Sequence, residues 1–164
     1  RGAALTVSTA PPMPHVIVSE VLANPIGAEP DQEWVELFND GLADADLAGF
    51  TLADIGGVTE LPHAVLPSGT FALVVNEAFV EDDELDPPPA IGTLLLRVPK
   101  LGKAGLKNGG EPLKLLDATG AVVSRVPATP KTKPGESLSR VAPSAPDGAP
   151  SSFKAGSPTP GAPH

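Results

Sequence analysis

Apolar and polar residues alternate along this chain in short bursts, separated by turn residues every 8–15 positions or about that. His15 to Leu22 is β-branched and apolar around a single charge, Glu20, and stops at Asn24-Pro25, which predicts a first strand. Glu33 to Phe38 alternates strictly, placing Glu33, Val35 and Leu37 on one face and Trp34, Glu36 and Phe38 on the other, before Asn39-Asp40-Gly41 turns the chain. Asp46 to Leu52 keeps the rhythm, but Leu47 and Leu52 stand five residues apart, so a bulge at Gly49 is needed to put both on one face. Phe71 to Val75 follows the turn Leu66-Pro67-Ser68-Gly69 and is apolar on both faces, as a central strand would be. Leu113–Leu116 and Val122–Val126 flank Asp117-Ala118-Thr119-Gly120 and read as a hairpin.

Between these bursts the pattern breaks. Residues 77–92 carry six acids and three consecutive prolines, which predicts a solvated loop that the core can spare. Residues 1–14 hold a strand-like Leu5-Thr6-Val7 and then a proline cluster, expected as the end of a preceding domain and a linker. From Ala142 onward Pro, Ser and Gly dominate, so residues 143–164 are expected as an extended tail, with the domain proper at 15–142. No fixed-period repeat is visible. Roughly seven to nine short strands with few helix signals predict an all-β chain, an antiparallel β-sandwich.

Composition sharpens this picture. With 21 Pro and 17 Gly in 164 residues, long helices and coiled coils are poor readings. No apolar run approaches the ~18 residues of a membrane span. Zero cysteines exclude disulfides, thiol nucleophiles and Cys-ligated metals in this chain. The net charge of −9 opposes binding to a phosphate backbone, so no nucleic-acid partner is expected. Residues 1–96 hold 16 acids and one base, net −15, whereas residues 97–164 hold four acids and ten bases, net +6. Opposite charges should therefore meet inside one sandwich, with Arg140 beside Glu36 or Glu20 as the expected pair.

Val16 to Pro25, Glu33 to Asn39 and Asp46 to Asp54, in that order and spacing, resemble the opening of the lamin tail domain in its bacterial form. Leu66–Gly69, Leu106–Glu111, Leu115–Gly120 and Gly135–Arg140 resemble that family's later blocks, and Ser157–Pro163 its closing segment. Ser19 and His164 stand where the family often has Asn, and Phe50 where it often has Trp. The resemblance implies an immunoglobulin-like β-sandwich and a non-catalytic binding or spacer module of a larger secreted or cell-surface bacterial protein. The alternative it leaves open is an auxiliary domain that positions a linked nuclease or phosphatase on its substrate. An extracytoplasmic location, a monomeric state and a protein or carbohydrate partner at the cell surface are the matching expectations.

Candidate chemistry is sparse. Glu33 and Glu36 stand an odd number of residues apart, so a strand sends them to opposite faces, where they cannot converge as an acid–base pair. Glu81, Asp82, Asp83, Glu84 and Asp86 are rich in oxygen but lack the alternate spacing and glycine hinge of a calcium loop, and Asp44-Ala45-Asp46 is only a fragment of one. His15, His63 and His164 are far apart in sequence and read as surface residues, so no metal or other cofactor is expected. Gly135-Glu136-Ser137-Leu138-Ser139 has Ser where a nucleophile elbow needs its second Gly. The face formed by Trp34, Glu36 and Phe38 is the candidate ligand-contact surface, with Trp34 either a stacking platform or packed beneath a loop.

Overall fold

In the computed structural model, which describes residues 10–82, 84–128 and 131–164, twelve strands build an immunoglobulin-like β-sandwich. Strands β1 (Val16–Leu22), β2 (Trp34–Asn39), β7 (Phe71–Asn76), β8 (Leu94–Val98), β11 (Ser137–Arg140) and β12 (Phe153–Gly156) form a six-stranded sheet in the order β12-β11-β1-β2-β7-β8. Strands β4 (Thr51–Ala53), β5 (Val58–Glu60), β9 (Leu113–Leu116) and β10 (Val122–Val126) form a four-stranded sheet, β10-β9-β4-β5. Two short strands, β3 (Ala45–Asp46) and β6 (Val65–Leu66), pair beside them. Every pairing is antiparallel except β7 with β8, which is parallel and departs from the expected all-antiparallel arrangement.

The core lies between the two larger sheets. Val18, Val35, Leu37, Val74 and Leu96 of the six-stranded sheet meet Leu52, Leu113, Leu115 and Val126 of the other, all of them buried. At about 25 cal/mol per Å² of apolar surface removed from water, this layer is the principal source of stability. A second, smaller apolar cluster of Leu22, Trp34, Leu73, Val75 and Phe79 lies on the outer side of the six-stranded sheet.

Several expectations meet their physical limits here. Leu47 and Leu52 are both buried, but no bulged strand joins them. A turn with Gly49 at φ +75 ends β3 and starts β4 in a different sheet, so a change of sheet replaces the bulge. The 113–126 hairpin forms as expected, its turn held by Asp117 Oδ1, which accepts the amides of Thr119 and Ala121 at 2.8 and 3.1 Å. Gly41 follows β2 where the linker crosses it, and a Cβ there would lie 2.3 Å from the amide nitrogen of His15. The strand expected at Leu5-Thr6-Val7 lies outside the described residues.

Residues 143–164, expected as a tail, contribute a 3-10 turn (Pro150–Ser152) and β12, which adds to the edge of the six-stranded sheet beside β11. Residues 157–164 then run back across that sheet's outer face as a strap. The 77–92 segment is likewise tied in. Phe79 is buried in the outer cluster, and the Asp86 carboxylate accepts the amides of Ile26 and Gly27 at 3.0 and 2.7 Å. A loop expected to be dispensable carries a core side chain and a buried acceptor.

Candidate functional site

Strand β1 begins with alternate residues facing the core, and Val16 and Val18 are both buried there. Unbroken alternation would send Glu20 after them into the apolar core, where an ionised carboxylate is very costly. The register with β2 instead shifts between Val18 and Glu20. The extra residue is Ser19, and beyond this bulge Val21 returns to the core while Glu20 and Leu22 face outward. The shift brings Glu20 directly opposite Glu36 of β2, with both side chains fully buried.

Like charges directly opposite across a strand pair repel, so the surroundings must supply compensation. Glu20 takes it from two directions. On β11, Ser137 Oγ donates a very short hydrogen bond to Oε1, and Ser139 Oγ donates to the same oxygen at 3.0 Å. From the strap, the Thr159 amide lies 3.2 Å from both carboxylate oxygens, and its hydroxyl donates to Oε2 at 3.2 Å. Glu36 receives Ser19 Oγ on Oε1 and the Gly161 amide on Oε2, each at 2.6 Å. Burial nevertheless pushes the Glu36 carboxyl up to about 8; the Ser19 and Gly161 hydrogen bonds oppose the rise and the charge of Glu20 adds to it.

The strap closes with His164, whose side chain is 13% exposed. Its Nδ1 lies 3.5 Å from Glu20 Oε2 and its Nε2 3.6 Å from Glu36 Oε1. Nδ1 is also 2.7 Å from Thr159 Oγ1, which already donates to Glu20 and so is free to accept from the ring. Glu20, Glu36 and His164 each offer a ligand atom, and the three atoms lie within 4.8 Å of one another. His164 is therefore not the isolated surface histidine that its sequence position implies.

The expected pair of Arg140 with Glu36 or Glu20 is replaced by another. Ser137 and Ser139 face Glu20, so Arg140, one residue further along β11, leaves from the opposite side of the sheet. There its guanidinium donates to the Val18 carbonyl at 2.9 Å, the Ala145 carbonyl at 2.9 Å and Asp147 at 2.7 Å, and it lies over the Phe153 ring. Arg140 is buried and Asp147 partly exposed. The wider expectation of late bases beside early acids also gives way. Among the described residues the Lys and Arg ion pairs are Arg97–Glu81, Lys133–Glu136 and Arg140–Asp147, none of which reaches an acid before residue 60.

The Trp34, Glu36 and Phe38 face exists as a row but is not one open surface. Trp34 is buried beneath Phe79 and packs with Leu22, Leu73 and Val75. Glu36 is sealed by the strap. Phe38 stacks on Phe71 with ring centroids 4.5 Å apart, and both rings border a cleft of about 330 Å³ completed by Ile17, Val141, Pro163 and His164. Glu33 projects to the other face of the sheet, as its parity requires, and accepts the Leu106 amide at 2.6 Å. Burial pushes its carboxyl up to about 7, with Glu29, Glu111 and Asp31 nearby adding to the rise.

Reading the sequence singled out Glu20 and Glu36 but missed Ser137, Ser139, Thr159 and Gly161 as their partners. Strand alternation in Ser137-Leu138-Ser139 is the signal that would have put both hydroxyls on one face. Nothing local signals that Thr159 and Gly161 return to β1 and β2. The lamin tail domain family model matches residues 9–129. Glu20 and Glu36 fall inside that span, whereas β11, β12 and the strap follow it. No curated protein matches the sequence.

Proposed function

We propose that this chain, which belongs to the lamin tail domain family, is a non-catalytic binding or spacer module of a larger secreted or cell-surface bacterial protein. The observation that carries the reading is the seal over Glu20 and Glu36. A pair of buried carboxylates is the most reactive-looking feature of the described residues, yet the chain's own Thr159 and Gly161 amides stand where a substrate would approach. Such a site holds architecture together rather than turning over a substrate. The cleft beside Phe38 and Phe71 supports the binding side of the reading. Its volume lies within the usual range of ligand pockets, ~300–1,000 Å³, and its aromatic floor suits an apolar or sugar-ring surface. The net charge of −9 supports a partner other than nucleic acid.

The purified chain should show no turnover of nuclease, phosphatase or esterase substrates. Activity above a blank that Glu36→Gln abolishes would overturn the non-catalytic reading. Surface display is checked separately by exposing intact cells to protease: loss of the module's signal supports it, and full protection refutes it.

A further inference from the structure

We propose that Glu20, Glu36 and His164 form a binding site for one divalent metal ion of the zinc class, which locks the strap onto the six-stranded sheet. This goes beyond the module reading and does not depend on it. The first support is charge. Two fully buried carboxylates face each other across β1 and β2, and among the described residues neither pairs with Lys or Arg. The imidazole of His164 is the partner that both meet. Two carboxylates and a neutral imidazole around a divalent cation make a neutral site, the least costly way to keep both acids ionised away from water.

The second support is the tautomer of His164. Nδ1 is committed to Thr159 Oγ1 at 2.7 Å, which leaves Nε2 as the nitrogen with its lone pair available. Nε2 makes no hydrogen bond among the described residues and stands 3.6 Å from Glu36 Oε1. Donating the second ring N–H to a fixed oxygen holds the tautomer and orientation that a metal-ligating histidine needs, and here the Thr159 hydroxyl takes the place of the commoner carboxylate or carbonyl.

The third support is the disposition of the other donors. Ser137 and Ser139 donate to Glu20 Oε1, the Thr159 amide is shared between both Glu20 oxygens and the Thr159 hydroxyl donates to Oε2, while Glu36 takes the Gly161 amide on Oε2 and the Ser19 hydroxyl on Oε1. Glu20 Oε2 and Glu36 Oε1 are the oxygens nearest the His164 ring, and a carboxylate oxygen has lone pairs for both a hydrogen bond and a metal. The donor groups then act as the outer shell that fixes each ligand. Ligand atoms of a tetrahedral zinc ion stand about 3.3 Å apart, given bonds of about 2.0–2.1 Å. Glu36 Oε1 is already 3.6 Å from Nε2, whereas Glu20 meets the ring at Nδ1. A shift of the imidazole within a cluster whose donor atoms lie within 4.8 Å of one another brings Glu20 Oε2 to the ion. His164 and Ser19 also line the cleft beside Phe38, so the His164 side of the site borders that cleft. Two oxygens and one nitrogen favour zinc-class metals over calcium or magnesium, which prefer oxygen alone.

The test is calorimetric titration of the metal-free 164-residue chain with zinc chloride, repeated with cobalt chloride while recording the visible spectrum. One equivalent should bind, cobalt should give the intense bands of a four-coordinate site, and calcium chloride should give no saturable heat. Glu36→Gln and His164→Ala should each weaken zinc by at least ~10-fold, whereas His63→Ala should leave it unchanged. His164→Ala changes a partly exposed strap residue, so it tests the ligand even if Glu36→Gln disturbs the fold. No stoichiometric binding by the unaltered chain, calcium binding in place of zinc, or zinc binding unaffected by His164→Ala would each overturn the proposal.

Discussion

On β2, residues one position apart meet opposite environments. Val35 and Leu37 face the core between the sheets, where the requirement is apolar volume, and neighbours from both sheets supply it. Trp34, Glu36 and Phe38 face outward, and each is covered differently: Trp34 by Phe79, Glu36 by the Thr159–His164 strap, and Phe38 by a stacked ring beside an open cleft. An apolar layer tolerates many sequences of the right volume. A buried carboxylate pair does not, because every oxygen needs a donor aimed at it. The inner face is thus generic to the sandwich, and the outer face is where this chain becomes specific.

The largest effects should come from the apolar parts of both faces. Trp34→Ala removes the centre of the outer cluster and should cost ~3–5 kcal/mol, and Leu37→Ala on the inner face should cost ~2–5 kcal/mol. Urea denaturation measures both. If Trp34→Ala costs less than ~1 kcal/mol, the outer cluster is a surface decoration and the two faces are not both structural. Phe79→Ala tests the same cluster from the loop side and should also exceed ~2 kcal/mol, because Phe79 is the buried apolar side chain of an otherwise largely exposed segment.

Arg140 comes next. Its guanidinium bridges Val18, Ala145 and Asp147 on the inner side of β11, so Arg140→Ala leaves carbonyls and a partly buried carboxylate without their donor. A loss of ~3 kcal/mol is expected. A double-mutant cycle should find coupling between Arg140 and Asp147 and simple additivity between Arg140 and Glu36. Coupling with Glu36 would mean that the sheet does not separate the two groups.

How much of this could be read in the sequence follows from the range of each cause. The strands β1, β2, β7, β9 and β10 announce themselves by alternation or β-branched runs, since burial on one face or two leaves a local period. Glu20 and Glu36 stand out as charges in apolar strands. What could not be read depends on long-range events. The Ser19 bulge shows itself only against the register of β2. The parity of Arg140 needs the knowledge that Ser137 and Ser139 already face Glu20. Strand β12 and the strap are Pro-, Ser- and Gly-rich and bury little apolar surface, so composition alone hides backbone that completes a sheet and a carboxylate site.

A smaller effect separates the faces by pH. Glu33, whose side chain leaves β2 on the side opposite Glu36, is raised to about 7 by burial, against about 4.5 for an unfolded glutamate. Between those values the folded chain holds a proton that the unfolded chain has lost, so stability falls as pH rises through this window. The slope from Glu33 is at most ~1.4 kcal/mol per pH unit. Glu33→Gln keeps an acceptor for the Leu106 amide and removes the titration, so its stability should fall less steeply between pH 5 and 7, or about there, than that of the unaltered chain. Parallel curves for the two proteins would place the proton elsewhere.

The smallest effect is expected at the outer rim, where Arg97 of β8 meets Glu81 at 3.1 Å with both side chains well exposed. An exposed ion pair of this kind contributes ~0–1 kcal/mol and is screened by salt. Arg97 does something else with the same group: Nη1 donates to the carbonyls of Glu77 and Phe79 at 3.2 and 2.9 Å, fixing the backbone that places Phe79 over Trp34. The two roles can be separated. Glu81→Gln removes the charge pair and should change stability by less than ~0.5 kcal/mol. Arg97→Met keeps much of the aliphatic stem but removes the carbonyl donors together with the ion pair, and should cost about 1 kcal/mol, of which only the small share equal to the Glu81→Gln effect fades in salt. Equal losses from both variants, each fading in high salt, would mean that the rim is held by charge and that the loop over Trp34 needs no backbone anchor.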